Sequence, residues 1–213
     1  LYARKVRATE LNVYLDYEPA VPDGLKSPDY LYLGTLEPGK QLSVLKQCSR
    51  PKFVLMDTIE FYIETQRDKL LKTISEADGM VLNDIEARML CRQANLFKCA
   101  RQIQDWGPEL VVIKKGENGS ILFKDDFVLP FPAFPLPDAV DPTGAGDAYA
   151  GGFFGHVARS GGRLDEKTLK EALAYGTVMG AFAIEDFGVH RLAAITRMDI
   201  EARFLQYKKL LSI

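Results

Sequence analysis

Hydrophobic and polar positions along this chain switch repeatedly between a period of two and a period near 3.6. Residues 9–15 (TELNVYL) alternate and predict a strand. Tyr30–Leu33 (YLYL) predicts another, set off by the turn-forming Pro22-Asp23-Gly24 and Ser27-Pro28-Asp29. Residues 40–47 have helical spacing. Phe53–Met56 (FVLM) is a short apolar run of the kind a buried strand shows. In residues 65–76 the apolar positions Leu70, Leu71 and Ile74 mark an amphipathic helix. A strand follows at 80–82, then helices from 84 to 90 and from 97 to 106. Residues 110–113 (LVVI) are rich in β-branched side chains and predict a strand. Residues 120–123 and 127–129 read as a hairpin pair.

The segment 130–137 (PFPAFPLP) carries four prolines, which excludes a helix or a central strand and predicts an extended connector. Helices are predicted at 146–160, 166–185 and 198–211. The second of these holds Ala172, Ala174, Gly176, Gly180, Ala181 and Ala183, which suits close packing. Strands separated by helices imply βαβ units and a mainly parallel α/β sheet. In such sheets ligands sit at the carboxyl ends of the strands.

A length of 213 residues fits one sizeable core. The 27 basic and 29 acidic residues leave a net charge of −2, which argues against nucleic acid as the main partner. Cys48, Cys91 and Cys99 are odd in number and form no Cys-x-x-Cys. A disulfide framework or structural zinc is therefore not expected, and reduced thiols in a cytoplasmic protein are. No apolar run approaches the ~18 residues needed to cross a bilayer. The chain opens on Leu1 rather than Met, so its first residues say little about targeting. His156 and His190 have no partner pattern and receive no role.

The strongest chemical signal is Asp141-Pro142-Thr143-Gly144-Ala145-Gly146-Asp147, followed by the small residues 148–152 (AYAGG). Gly144 and Gly146 let the backbone approach a ligand closely. The N–H groups of a helix start, reinforced by its dipole, make an anion cradle. Asp147 stands at its mouth as a candidate base for a hydroxyl proton. The plain alternative is a tight loop capped by Asp. A P-loop is excluded because no Gly-Lys-Ser/Thr occurs, and a dinucleotide fingerprint fails at Tyr149.

Two further motifs stand at strand ends. Asn83-Asp84-Ile85-Glu86 has the pattern of a helix cap, with Asp84 and Glu86 in the first turn. Lys114-Lys115-Gly116-Glu117-Asn118-Gly119 reads either as a hairpin turn with solvated lysines or as a loop that offers Lys114 to phosphates. Asp57-Thr58 follows a strand toward the same edge, as a helix cap or as part of a site.

Asp141 to Asp147, followed by small helical residues, closely resembles the C-terminal signature of the ribokinase-like (PfkB) carbohydrate kinases. The resemblance runs from about Thr9 to the C-terminus. It implies a ribokinase-like, mainly parallel Rossmann-like sheet flanked by helices, as a single kinase domain over residues 1–213. It implies an ATP-dependent kinase acting on a hydroxyl of a sugar or sugar-like molecule, with a nucleoside kinase or a non-catalytic nucleotide-binding remnant as alternatives. Asp147 becomes the catalytic base, and Gly144, Ala145 and Gly146 the anion hole. Asn83 and Glu86 resemble the family's Asn-x-x-Glu motif, which organises Mg2+ through water. Asp141 and Thr143 fall near a site for K+ found in many members. Gly116 matches a glycine of the nucleotide loop, with Lys114 and Gly119 beside it, where many members carry a hydroxyl residue in place of Lys114. Thr177 falls near an adenine-flanking position that is often Asn, and its helix serves equally well as core packing. The family's first strands, its glycine-rich sugar segment and most of its lid are not found in the sequence. Residues 1–15 are then expected to be the last lid strand, and a sheet edge to lie open. Many members form dimers through the lid, so the resemblance offers a homodimer as the assembly, while the missing lid leaves the oligomeric state open; neither nucleic acid nor membrane is expected as partner.

Overall fold

A computed structural model describes residues 10–211. Its strands are β1 (Tyr30–Leu33), β2 (Phe53–Met56), β3 (Gly79–Asn83), β4 (Leu110–Lys114), β5 (Ser120–Lys124) and β6 (Phe127–Phe131). They form one sheet in chain order. β1 to β4 run parallel, and β5 and β6 return antiparallel. Between β1 and β4 lie α1 (Pro38–Gln47), α2 (Glu60–Thr65), α3 (Arg67–Ile74), α4 (Asp84–Cys91) and α5 (Leu96–Asp105). After β6 come α6 (Ala145–Arg159), α7 (Glu166–Ala183), α8 (His190–Ala194) and α9 (Arg197–Leu211).

Every residue of β2 is buried, as a strand covered on both faces must be. Successive side chains of a strand point to opposite faces, so the sheet sorts its apolar residues into two cores. Phe53, Leu55, Val81, Leu110 and Val112 face α6, α7 and α9. Val54, Met56, Met80, Leu82, Val111 and Ile113 face the other layer of helices. Each fully buried aliphatic side chain contributes about 1.5–3 kcal/mol, which is why short strands of four or five residues hold. The same alternation puts Tyr32, Asp57, Asn83 and Lys114 on the α6 side, one step above the core at the carboxyl edge.

Two segments depart from expectation. Residues 10–15 of the predicted first strand do not extend; Asn12–Tyr14 forms a 3-10 turn, and Thr9 lies outside the described residues. Buried Lys40 explains it: its Nζ donates to the carbonyls of Tyr14, Leu15 and Tyr17 at 2.8, 2.9 and 2.6 Å, curling the chain around one ammonium. The single helix expected over 65–76 is α3, preceded by the separate α2 and broken at Gln66. Pro130 lies inside β6, which is tolerated because β6 is an edge strand.

Candidate active site

The carboxyl ends of β1, β2, β3 and β4 converge on the N-terminus of α6. Gly144 enters that helix with φ +79°, in the left-handed region that glycine adopts without strain. Among the described residues no side chain caps α6. The Ala145 N–H turns back to Pro142 O at 3.3 Å, so the open donors are those of the first helical residues, Gly146 and Asp147. Of the three residues expected to form the anion hole, Ala145 has its N–H engaged in the turn, while Gly144 and Gly146 make no such bond among the described residues. Asp147 is exposed in the first turn, beside those donors.

Lys114 brings a second positive element to the same point. A Cβ built on Gly146 would lie 2.8 Å from the Lys114 Nζ. Lysine at the end of β4 therefore reaches the mouth of α6, which favours the phosphate-side reading over a solvated turn. Gly116 opens a 3-10 turn at φ +56° with free space around it. Gly119, at the other end of this turn, is constrained by packing. A Cβ there would meet Phe131 O at 2.0 Å, so this glycine lets the turn pack beneath the proline-rich connector.

Asn83 and Glu86 form a capping box on α4. Asn83 Oδ1 accepts from Glu86 N at 2.8 Å, and Glu86 Oε2 accepts from Asn83 N at 2.7 Å. Burial pushes the Glu86 carboxyl up to about 7, against the cap hydrogen bond and the charge of Lys114. Both motif residues thus have structural partners first. The described residues hold no group of three or more His, Cys, Asp or Glu placed to cage a metal.

Asp141 ties two loops together. Its Oδ1 accepts from Thr143 N at 2.9 Å and its Oδ2 from Gly188 N at 3.2 Å. Thr177 is buried on α7.

Tyr32 and Thr35 went unassigned in the sequence, and Asp57 was left open between a helix cap and a site residue. Asp57, at 4% exposure, accepts hydrogen bonds from the hydroxyl of Tyr32 and from Thr35 Oγ1, the latter at 3.1 Å. It caps no helix, because α2 starts from Ile59 without a side-chain cap. Burial raises the Asp57 carboxyl, while the Tyr32 hydrogen bond and the Lys114 charge oppose the rise. Tyr32 is likewise raised by burial and by Asp57, with Asp147 adding to the rise. A carboxylate directly after a fully buried strand is the signal that marks Asp57. Tyr32 and Thr35 gave none, since their roles depend on how β1 sits beside β2.

A family model described as pfkB family carbohydrate kinase matches residues 23–195. The chain belongs to the PfkB family. It is 33% identical over 147 residues to a cytidine kinase of Thermococcus kodakarensis, covering 67% of this chain and 52% of that protein. It is 34% identical over 120 residues to fructokinase-2 of Zea mays, covering 55% and 36%. The fold matches the structure of aminoimidazole riboside kinase from Salmonella enterica, solved with aminoimidazole riboside and an ATP analogue. That match has a TM-score of 0.69 at 21% identity and covers 84% of this chain and 64% of that one. The chain thus spans about half the length of the curated relatives it matches. No helix among the described residues is long and apolar enough to cross a membrane.

Proposed function

We propose that this chain carries the phosphoryl-transfer half of an ATP-dependent kinase whose acceptor is a hydroxyl of a sugar or nucleoside. The observation that supports it best is Asp147: an exposed carboxylate in the first turn of an uncapped helix, beside open N–H donors. Phosphoryl transfer asks the protein for positioning and charge stabilisation more than for covalent chemistry. Asp147 accepts the proton of the attacking hydroxyl. The N–H groups of Gly146 and Asp147 hold the charge of the transferring group, and the Lys114 ammonium adds to them. When bound, Mg2+ supplies charge neutralisation at the phosphate oxygens, with Glu86 and Asn83 behind its water shell. Asp141 and Thr143, which join the loop before α6 to the loop after α7, are the residues that would border a K+ ion.

The relatives divide between sugar and nucleoside kinases, and so does the reading of the acceptor. A non-catalytic remnant is disfavoured by the intact Asp147 and its open donors. The test is coupled ADP release with Mg2+, K+ and ATP over a panel of sugars and nucleosides, beside Asp147→Asn. Turnover with one acceptor class, lost in the variant, supports the kinase and selects the class. ADP binding without turnover on any acceptor would favour the remnant.

A further inference from the structure

Lys114 is in an electrostatically awkward place. Its Nζ reaches the first turn of α6, where the helix dipole presents positive potential and repels a cation. Something must hold it there. Among the described residues Lys114 makes no ion pair within 4.0 Å, and the buried carboxylates whose ionised form its charge favours are Glu86 and Asp57. Glu86 is committed to the cap of α4 through Asn83. Asp57 is different. Its two oxygens meet only neutral donors, Tyr32 and Thr35, which fix its orientation but leave its charge uncompensated. A carboxylate at 4% exposure needs a cation nearby, and Lys114 lies on the same sheet face two strands away.

We propose that Asp57 is a positioning residue that holds the Lys114 ammonium against the N-terminus of α6. Tyr32 and Thr35 pin Asp57, Asp57 holds Lys114, and Lys114 joins the helix N–H groups at one point. Two positive elements that would otherwise separate are thereby ready for one anion, the phosphate of a nucleotide. Protein kinases solve the same problem with a lysine held by a glutamate. The inference rests on the phosphotransfer reading of this site and adds a residue to it.

The test is a double-mutant cycle read by calorimetric titration with ADP and Mg2+. Its members are the unsubstituted protein, Asp57→Asn, Lys114→Met and the double variant. Each single change is expected to weaken ADP binding about tenfold. The double variant is expected to bind no more weakly than Lys114→Met, because Asp57 acts through Lys114. A merely structural Asp57 would lower the melting temperature and leave affinity unchanged, or its effect would multiply with that of Lys114→Met. Either result overturns the proposal. If Asp57→Asn does not fold, Asp57→Glu replaces it; displacing the carboxylate by one methylene must alter ADP affinity only while Lys114 is present. An unsubstituted protein that binds no ADP overturns the phosphotransfer reading and this proposal together. Binding with independent effects overturns this proposal alone.

Discussion

The two ends of α6 are built in opposite ways. At its N-terminus stand a left-handed glycine, no side-chain cap among the described residues, and the exposed carboxylate of Asp147. At its C-terminus the side chains of His156 and Arg159 both have partners. His156 stacks on Tyr175 at 4.9 Å between centroids, and its Nε2 lies 3.4 Å from Glu171. Tyr175 stacks on Phe204 at 4.2 Å, donates to Glu201 at 2.8 Å, and lies under the guanidinium of Arg159. His156 and Arg159 also suit the negative end of the helix dipole. One end spends its residues on satisfaction, and the other leaves donors and a charge free for a ligand. Stability and function therefore separate along a single helix, and substitutions at its two ends should fail in different assays.

The largest expected effect is at the open end. Asp147→Asn keeps size and removes the proposed base, so turnover should fall by about 100- to 10,000-fold, the usual share of a general base. The melting temperature and ADP affinity should stay near those of the unsubstituted protein, because the side chain is exposed. A loss of stability instead would move Asp147 to the structural side of the comparison.

Two glycines on the same helix sharpen it further. A Cβ at Gly152 would meet Tyr175 O at 2.6 Å and Met179 Cγ at 2.8 Å. Helix α7 cannot yield its backbone without separating from α6, so Gly152→Ala should cost about 2–3 kcal/mol in denaturant unfolding. At Gly146 the added Cβ meets only the end of the Lys114 side chain, at 2.8 Å from Nζ, and no backbone. Gly146→Ala should leave stability unchanged or slightly raised, since alanine is the better helix former. It should weaken ADP binding about tenfold, by blocking the approach to the open N–H groups. The same substitution six residues apart thus reads out as unfolding at one glycine and as affinity at the other.

What the sequence revealed of this molecule follows the range of the forces involved. β2 and β4 were legible because buried parallel strands are continuous apolar runs, here FVLM and LVVI. The turn into α6 was legible because its glycines and Asp147 act within seven residues of chain. The rest depends on distant partners. Residues 10–15 alternate as a strand does, yet Lys40, more than twenty residues on, gathers their carbonyls into a turn. The Tyr32–Asp57–Thr35 cluster needs the register that sets Leu33 beside Met56. Gly119 looked like part of a nucleotide loop, and only the packing of the connector against it shows a structural role. The short α2 and α8 went unpredicted because five or six residues carry too little periodicity to stand out.

The closed end of α6 makes the smallest prediction, one of pH. Burial holds the His156 pKa below its usual value, and the charge of Arg159 adds to this; Glu171 and Glu201 pull the other way. As pH falls, the unfolded chain takes up the proton before the folded one does. The stability tied to the neutral ring is therefore complete above the unfolded value of about 6.5. It is lost as pH falls toward the depressed folded value. Asp57 and Glu86, both raised by burial, act in the opposite sense over the acidic range. The contribution of His156 must then be read as a difference. Between pH 7.5 and 5.5 the unsubstituted protein should lose more stability than His156→Gln, measured by denaturant unfolding at each pH. Equal losses would mean that the cluster absorbs the imidazolium without cost. Glu171, 3.4 Å from Nε2, would then outweigh burial, and the closed end of α6 would be as ready for charge as the open one.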